Sequence, residues 1–284
     1  MKIAVVGCRG QLGRELCRQF GSQAVGLGHA ELDITDPAAV ARVLRQHAPD
    51  VVINTAGYTA VDRAEQEPEA CFAVNSTAAT HLAEACNGLN CTLVQISSDY
   101  VFGAAAERPR PYREADAVCP LGVYAHSKLA GEKAAAGATR HFIVRTCGLY
   151  GVLSTAAQSN FVDTMLRLGR ERPKLRVVND QWCTPSYVGH IAQAVRYLIG
   201  TTDFGLYHVV NRGQTTWHAF ACEIFRQAGM TVEVQSIATA EYGAAAPRPS
   251  YSVLDTAKYE SLGGPPLPEW QEALAEYLAL KAVQ

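Results

Sequence analysis

The sequence predicts an α/β fold in which a doubly wound parallel sheet is joined to a second, smaller α/β domain. Two observations support this prediction. The first 145 residues alternate short, β-branched apolar runs with longer stretches of helical periodicity, which is typical of a sheet covered by helices on both faces. After Gly151 the alternation becomes irregular, which indicates a separate and smaller unit.

Five apolar runs in the first half have the length and composition of buried parallel strands. They span residues 3–6, 23–27, 51–54, 92–96 and 142–145. Between them, apolar residues recur at helical spacing over residues 12–20, 37–46, 70–86 and 124–136. Because parallel strands need crossover connections of about this length, the helices are expected on the faces of one sheet.

The second half combines four predicted helices with one predicted strand. The helices span residues 159–169, 187–199, 216–228 and 268–280, the third opened by a Thr216 cap, and the strand spans residues 205–210. Residues 242–249 and 263–268, rich in Gly, Ala and Pro, are predicted loops because structured patterns resume after each. We expect a main domain over residues 1–150, with elements near 187–210 packing back onto it, and a smaller domain over most of 151–284.

Composition excludes several classes of protein. The 284 residues are 48% hydrophobic and 18% charged, with 25 Lys and Arg against 27 Asp and Glu, as in a soluble globular chain. A net charge of −2 without a basic cluster argues against nucleic acid or an anionic membrane surface as a partner. No apolar run approaches the roughly 20 residues that span a bilayer. Nine scattered cysteines without CxxC spacing predict reduced thiols in a cytoplasmic protein.

A glycine-rich turn lies between the first predicted strand and the first predicted helix. Gly7, Gly10 and Gly13 form a GxxGxxG pattern there. Small residues let the backbone approach a pyrophosphate, and the helix N-terminus offers N–H groups and the positive end of its dipole. The turn therefore predicts a Rossmann-type NAD(P)-binding domain over residues 1–150, the alternative being a merely tight turn.

The choice between NADPH and NADH depends on the end of the second predicted strand, where a carboxylate would hold the adenosine ribose and exclude a 2′-phosphate. Residues 27–30 (LGHA) contain no carboxylate, and Arg9 in the glycine turn presents a planar fork that suits a 2′-phosphate. These features favour NADPH, with NADH possible, although Arg9 also fits a solvated surface residue. Asp33 lies where an adenine contact is expected, whereas Asp36 better fits a helix cap.

Tyr124 and Lys128 form a YxxxK pair on a predicted helix, so their side chains share one face. A tyrosine hydroxyl with its ordinary pKa of about 10 is a poor acid or base near neutral pH unless a nearby cation stabilises the phenolate. We therefore predict that Tyr124 is the proton donor. Lys128 is predicted to supply that charge and to hold the nicotinamide ribose.

Ser97, Ser98 and Asp99 follow the predicted strand 92–96, at the carboxyl end where open α/β sheets carry their sites. Ser98 is predicted to hydrogen-bond a ketone oxygen that Tyr124 protonates while reduced nicotinamide donates hydride. The alternative for Ser98 is a turn or helix cap. Residues 54–59, which include Ala56, follow the third strand and are predicted to form a wall of the cofactor site.

The chain resembles the dTDP-4-dehydrorhamnose reductases of the extended short-chain dehydrogenase/reductase superfamily nearly from end to end. Matching segments in the first half are GCRGQLG at 7–13, LDITD at 32–36, YTAVDRAE at 58–65, SSDYVF at 97–102, PLGVYAHSKLAGE at 120–132 and RTCGLYG at 145–151. Those in the second half are DQWCTPS at 180–186, GLYHVVN at 205–211 and RPSYSVLD at 248–255. The GxxGxxG spacing is also that of this superfamily.

The resemblance implies reduction of a nucleotide-linked 4-keto-6-deoxy sugar to its 4-hydroxyl, with NADPH or NADH as donor, by a monomer or homodimer. It implies a smaller domain that binds the nucleotide-sugar substrate. It also implies cofactor contacts at Gly10, Gln11, Leu12, Asp33, Ile34, Gly57, Tyr58, Thr59, Tyr124 and Lys128. The sugar would contact Ser98 and Asp99 beside the proton donor Tyr124.

The chain departs from the family pattern at a few positions. Ser98 stands where the family usually has Thr, which keeps the hydroxyl. Gly148 replaces the tryptophan of the family's Arg-Thr-x-Trp-x-Tyr-Gly segment, which removes an aromatic wall and leaves the identity of the keto sugar open. Some members bind magnesium across a dimer, and Glu15 matches one acidic position. Because a single helical carboxylate rarely makes a metal site, we predict no metal.

Two other functions stay open from the sequence. A nucleotide-sugar epimerase or dehydratase also uses YxxxK with a retained oxidised cofactor, although a dehydratase needs a further acid after Asp99, where this chain has Tyr100. A non-catalytic NADP-binding regulatory subunit, like that of methionine adenosyltransferase, keeps the same fold and pocket. The intact set of Ser98, Tyr124 and Lys128 favours an enzyme.

Overall fold

The computed structural model describes residues 1–103, 108, 110–152 and 160–282. Its strands are β1 (Ile3–Val6), β2 (Ala24–Leu27), β3 (Val51–Asn54), β4 (Thr92–Ser98), β5 (His141–Thr146), β6 (Leu149–Tyr150), β7 (Lys174–Val178), β8 (Trp182–Cys183), β9 (Ser186–Tyr187), β10 (Gly205–His208), β11 (Thr215–Thr216) and β12 (Glu233–Ile237). Six of them form a parallel sheet in the order β2-β1-β3-β4-β5-β10. The predicted fold class, a doubly wound parallel α/β sheet with a smaller unit attached, is confirmed.

The α-helices connect these strands. They are α1 (Gln11–Phe20), α2 (Pro37–His47), α3 (Val61–Ala64), α4 (Pro68–Phe72), α5 (Ala78–Leu89), α6 (Gly122–Ala135), α7 (Phe161–Glu171), α8 (Val188–Leu198), α9 (Trp217–Gln227), α10 (Thr239–Tyr242), α11 (Ala257–Ser261) and α12 (Trp270–Ala282). Within the described ranges, none of them combines the length and apolar character that crossing a membrane requires.

Alternate residues of the central strands face two separate hydrophobic cores. Ile3 and Val5 of β1 join a core with residues of α1, α8 and α12, whereas Ala4 and Val6 join a core with residues of α2 and α5. Both sets of β1 residues are at most 1% exposed. Burial on both faces explains why the strand is a continuous apolar run rather than an alternating one.

The order of the strands determines where a ligand can bind. β2 lies on one side of β1 and β3 on the other, so the direction in which the sheet grows reverses at β1. Open α/β sheets bind ligands outside the carboxyl ends of their strands at such a reversal. In the adjacent strands β4 and β5, Ser98 and Thr146 are register partners at the carboxyl ends. The predicted catalytic serine therefore lies at the expected edge.

The later residues form a smaller layer and also extend the main sheet. β7 and β12 pair in parallel, α9 packs against both, and α7 packs against α9. β11 and β8 form an antiparallel pair. β10 and α8 return to the main sheet, where β10 is hydrogen-bonded to β5 and α8 packs against α1.

Several predicted boundaries differ from the observed ones. The predicted helix 70–86 is α4, a π-helical turn at Ala73–Thr77 and α5 in succession. β7 and β12 were not predicted, because exposed polar residues interrupt them and each is stabilised by a distant partner. The Thr216 cap is confirmed, since its hydroxyl accepts from the Ala219 N–H. The helix predicted over residues 159–169 begins at Phe161 in the structure. Residue 159 lies outside the described residues.

Candidate active site

The glycine turn between β1 and α1 has no room for a side chain at two of its glycines. Gly7 has a φ of +76°, and a Cβ there would lie 2.6 Å from the backbone nitrogen of Ala56. A Cβ on Gly13 would lie 2.3 Å from the carbonyl oxygen of Gly7. Among the described residues, no side chain caps α1 at Gly10, and its first turn holds no acidic residue. The first N–H groups of α1 can therefore bind an anion.

We expect Gly13→Ala to abolish dinucleotide binding. The added methyl group would displace either the Gly7 carbonyl or the Thr55 hydroxyl, which lies 2.8 Å from the Cβ position, and both groups shape the turn. The expected result is a rise of at least about 100-fold in the Kd for NADPH, measured by fluorescence titration. Gly88→Ala on α5 is the matched control, because nothing lies within 4 Å of that Cβ position. An equal change in both variants would contradict the prediction.

The loop after β3 forms a second wall, which Asn75 holds in place. The Thr55 hydroxyl donates to the Val6 carbonyl oxygen at 2.7 Å and so ties the loop to β1. The Asn75 side chain accepts from the Tyr58 N–H at 2.9 Å and donates to the Tyr58 carbonyl oxygen at 3.1 Å. Asn75 lies in the π-helical turn Ala73–Thr77. This role was not predicted from the sequence. Its only signal there is an asparagine inside a predicted helix, where asparagine is unfavourable.

Lys128 on α6 is held between this wall and the end of β4. The residue is 8% exposed, and its Nζ donates to the Ile96 carbonyl oxygen at 2.7 Å. A Cβ on Gly57 would lie 3.9 Å from the same Nζ. Burial lowers the pKa of Lys128 to about 8, and the charge of Glu132 opposes that shift. The ammonium group therefore lies between the predicted cofactor wall and the end of β4.

Tyr124 precedes Lys128 by one turn of α6. Its ring meets Tyr100 edge-on, with the ring centroids 5.6 Å apart. Burial raises the pKa of Tyr124 above its ordinary value, the hydrogen bond with Ser98 lowers it, and the charge of Asp99 raises it further. Burial dominates, so the pKa of Tyr124 is raised overall. Stabilisation of the phenolate by Lys128 stays a prediction. Tyr124 is a neutral hydroxyl near pH 7, which is the form that donates a proton.

Ser98 and Asp99 close the end of β4. Ser98 Oγ accepts from the Tyr100 N–H at 3.2 Å and donates to Asp99 Oδ1 at 3.0 Å. Ser98 is thus a turn cap, the alternative weighed from the sequence, and also a partner of Tyr124. Asp99 is 2% exposed, and its other carboxylate oxygen accepts from Ser252 Oγ at 2.5 Å. Burial raises the pKa of Asp99, and the bond to Ser252 brings the C-terminal part of the chain to this strand end.

A buried ion pair holds α6 against the sheet one turn beyond Lys128. Arg145 donates to Glu132 twice, from Nε to Oε1 at 2.8 Å and from Nη2 to Oε2 at 2.7 Å. Ser97 Oγ donates to the same carboxylate at 2.6 Å, and Arg145 Nη1 donates to His208 Nε2 at 3.3 Å. Ser97, Arg145 and His208 are register partners on three adjacent strands. This row fixes the distance between α6 and β4, which carry the predicted catalytic residues.

We expect Glu132→Gln to lower the free energy of unfolding by about 3–5 kcal/mol, because Arg145 would keep a buried charge without its partner. Urea denaturation measures this loss. The exposed pair Arg167–Glu171 provides the control, since its side chains are 60% and 49% exposed. Glu171→Gln should change the unfolding free energy by less than about 1 kcal/mol. A loss at Glu132 no larger than the loss at Glu171 would contradict the prediction.

One cavity of about 820 Å³ brings the glycine turn and the predicted catalytic residues together. Of the site residues predicted from the sequence, its lining includes Gly10, Gln11, Leu12, Gly13, Ala56, Gly57, Thr59, Ser98, Tyr124 and Lys128. The end of β5 and the residues that follow it also line the cavity, with Thr146, Cys147, Gly148 and Leu149. The cavity is therefore bounded by the carboxyl ends of four adjacent strands, as the reversal at β1 requires.

Gly148 contributes only backbone to the cavity wall, and Pro185 and Trp217 occupy the space that a side chain there would need. Gly148 has a φ of +53°, and a Cβ there would lie 3.1 Å from Pro185 Cα and 3.2 Å from Trp217 Cη2. Trp217 begins α9 of the smaller layer, so the aromatic group near this position comes from a distant part of the chain. The wall at position 148 is consequently backbone, with an aromatic ring behind it.

The remaining predicted site residues lie outside the cavity lining. They are Gly7, Arg9, Asp33, Ile34, Tyr58 and Asp99. The Tyr58 hydroxyl donates to Glu67 Oε2 at 2.7 Å, so its polar end has a structural partner. Asp33 is exposed and accepts from the Thr35 N–H at 2.9 Å and from the Thr35 hydroxyl at 2.7 Å. An adenine contact by Asp33 stays a prediction.

The end of β2 differs from the sequence-based expectation. Arg9 Nη2 donates to Glu31 Oε1 at 3.0 Å, and Glu31 Oε2 accepts from the Gly28 N–H at 2.8 Å. The inference that no carboxylate lies at this strand end is therefore wrong. Residues 27–30 lack one, but a turn closed by the Leu32 N–H on the Gly28 carbonyl oxygen at 2.9 Å brings Glu31 back.

The described residues contain no group of three or more His, Cys, Asp and Glu side chains that could hold a metal ion. Glu15, the acidic position noted in the sequence, accepts from Arg18 Nη2 at 2.6 Å and from Gln19 Nε2 at 2.7 Å. All nine cysteines are free thiols.

The chain is similar to known proteins over nearly its whole length. The family described as RmlD substrate binding domain matches residues 1–283. A dTDP-4-dehydrorhamnose reductase from Streptomyces griseus is 40% identical over 283 residues, which cover 96% of this chain and 91% of that protein. The spore coat polysaccharide biosynthesis protein SpsK of Bacillus subtilis is 38% identical over 281 residues, which cover 98% and 96%.

A solved structure agrees with the sequence comparisons. It is the dTDP-4-dehydrorhamnose reductase of Bacillus anthracis in complex with NADP, which superposes with a TM-score of 0.93 at 37% identity. The match covers 98% of this chain and 99% of that one. The agreement extends through the smaller layer as well as the main sheet.

Proposed function

Because this chain belongs to the RmlD substrate-binding domain family, which includes dTDP-4-dehydrorhamnose reductases, we propose that it is an NAD(P)H-dependent reductase of a dTDP-linked 4-keto-6-deoxy sugar. The observation that carries the proposal is one cavity lined by Ser98, Tyr124, Lys128 and the glycine turn. The resemblance identified in the sequence is confirmed by the family match.

The residues around the cavity fit a nicotinamide dinucleotide. Gly13 and Gly7 leave a cradle that any Cβ would fill, and α1 begins there with unpaired N–H groups, which suits a pyrophosphate. Lys128 lies at the other end of the lining, where a ribose hydroxyl would meet its ammonium group. When bound, reduced nicotinamide supplies a hydride to the substrate carbonyl carbon.

Residues of this chain supply the proton and stabilise the charge that its transfer leaves behind. Tyr124 donates its hydroxyl proton to the substrate carbonyl oxygen, so the tyrosine O–H bond breaks and the product O–H bond forms. Lys128 stabilises the phenolate that results, because its charge is buried and poorly screened. The single proton of Ser98 points to Asp99 in this structure. When the Ser98 hydroxyl rotates, it donates a hydrogen bond to the substrate carbonyl oxygen instead and stabilises the negative charge that develops there.

The same assignment gives each part of the chain a role in binding. Residues 1–150 form the NAD(P)-binding domain, with elements near 187–210 packed onto it, and most of 151–284 binds the nucleotide sugar. Asp99 acts on the sugar through Ser98 rather than by direct contact, because it is 2% exposed and its two oxygens accept from Ser98 and Ser252. The protein acts in the cytoplasm as a monomer or homodimer, without metal, nucleic acid or membrane partners. The nine free thiols support this location.

The experiment supplies purified protein with dTDP-4-keto-6-deoxy-L-mannose generated in situ and follows the oxidation of NADPH and of NADH. The expected result is stoichiometric oxidation with formation of the 4-hydroxy sugar, identified by nuclear magnetic resonance. Epimerised sugar without net oxidation would favour the epimerase alternative. Dinucleotide binding without turnover of this or related keto sugars would favour the regulatory-subunit alternative.

A further inference from the structure

A cation and an anion meet at the end of β2, beside the glycine turn. Arg9 Nη2 lies 3.0 Å from Glu31 Oε1, and the other Glu31 oxygen accepts from the Gly28 N–H at 2.8 Å. A Cβ on Gly28 would lie 2.8 Å from Glu31 Oε2 and 2.9 Å from Arg9 Nε. Burial raises the pKa of the Cys8 thiol in the turn, the charge of Glu31 raises it further, and the charge of Arg9 opposes both. The ion pair therefore lies at the carboxyl end of β2, next to β1, where the sheet order changes direction.

This strand end is where a dinucleotide-binding fold distinguishes its two cofactors. A carboxylate there accepts a hydrogen bond from the ribose 2′-hydroxyl of NADH, whereas an arginine accommodates the 2′-phosphate of NADPH. This chain has both groups, and they are paired with each other. The usual rule depends on whether the carboxylate or the arginine is present. Because both are present here, the rule predicts no preference between NADH and NADPH.

The ion pair is weak enough for a ligand to rearrange it. The Arg9 and Glu31 side chains are 65% and 44% exposed, and ion pairs of this kind contribute about 0–1 kcal/mol. A bidentate bond between a guanidinium and a phosphate is stronger and fixed in geometry. A 2′-phosphate can therefore displace Glu31 from Arg9, at the cost of meeting the carboxylate's negative charge.

We propose that Glu31 is a specificity-determining residue which, set against Arg9, allows the site to accept either NADH or NADPH. The inference rests on the proposed function, because it presumes a nicotinamide dinucleotide in the cavity. With NADH, the 2′-hydroxyl donates to Glu31 while Arg9 keeps its partner. With NADPH, the phosphate binds Arg9, and repulsion by Glu31 limits the gain.

The test is the Kd for each cofactor, measured by fluorescence titration on the full-length protein without sugar substrate. Glu31→Gln removes the charge but keeps an oxygen for the Gly28 N–H, so the turn should persist. We expect NADPH to bind about fivefold more tightly and NADH about twofold more weakly, a shift of about tenfold toward NADPH. Arg9→Gln should shift the preference about tenfold the other way, mainly by weakening NADPH.

The exposed pair Arg167–Glu171 supplies matched controls, because its side chains are 60% and 49% exposed and it lies on α7. Arg167→Gln and Glu171→Gln should leave the ratio of the two Kd values unchanged. A shift of less than about twofold in Glu31→Gln, or a shift toward NADH, would overturn the inference while leaving the proposed function intact. Failure of the wild-type protein to bind either dinucleotide would overturn both.

Discussion

Tyr124→Phe is expected to lower kcat for reduction of the keto sugar by about 10²–10⁴-fold, the usual contribution of a positioned general acid. The Kd for NADPH should stay within about threefold of wild type, because phenylalanine keeps the half-buried ring and its edge contact with Tyr100. Only the proton donor is lost. Single-turnover oxidation of NADPH measures the change directly, since it separates the chemical step from product release.

Tyr259→Phe is the matched control for this variant. Tyr259 is fully buried on α11, and its hydroxyl has no partner among the described residues. Its removal should leave kcat unchanged and should not destabilise the fold, because no hydrogen bond is lost. If Tyr124→Phe keeps more than about a tenth of wild-type kcat, another group donates the proton and the assignment of Tyr124 is wrong.

Lys128→Met is expected to lower kcat/KM by about 10³-fold, because the phenolate formed on Tyr124 would lose its nearby buried charge. Dinucleotide binding should also weaken, since the residue lines the cofactor cavity. Lys133→Met provides a control on the same helix, because Lys133 lies in the last turn of α6 and is exposed. Equal losses in both variants would show that the helix, rather than the buried ammonium group, is the cause.

As pH rises through the pKa of Lys128, activity should fall while the stability of the fold should rise. Because burial lowers the pKa of Lys128 to about 8, kcat/KM should fall as pH rises through that value. In the unfolded chain its pKa is 10.5, so between the two values the unfolded state holds more protons. Over this window the unfolding free energy of wild type, measured relative to Lys128→Met, should rise by about 3 kcal/mol. A flat difference between the two proteins would contradict the assignment.

Local sequence patterns were sufficient for the strands of the sheet, for the glycine turn and for the placement of Tyr124 and Lys128 on one helix. Each depends on residues within one or two consecutive elements. β1 is a continuous apolar run because both of its faces are buried, and Tyr124 and Lys128 share a helical face because they are four residues apart. The position of Ser98 followed from chain order, because parallel strands end at the same edge of the sheet.

The tertiary structure alone decided which groups surround and tune those residues. Asn75 meets Tyr58 across 17 residues, Arg9 meets Glu31 across 22, and Arg145 meets His208 across 63. None of these pairs belongs to one period of a helix or strand, so no local pattern reveals them. The raised pKa of Tyr124 has the same origin, because it depends on burial by several elements at once. Spacing along the chain therefore determined which reactive side chains are available. Packing between distant segments determined the burial and the charges that surround them.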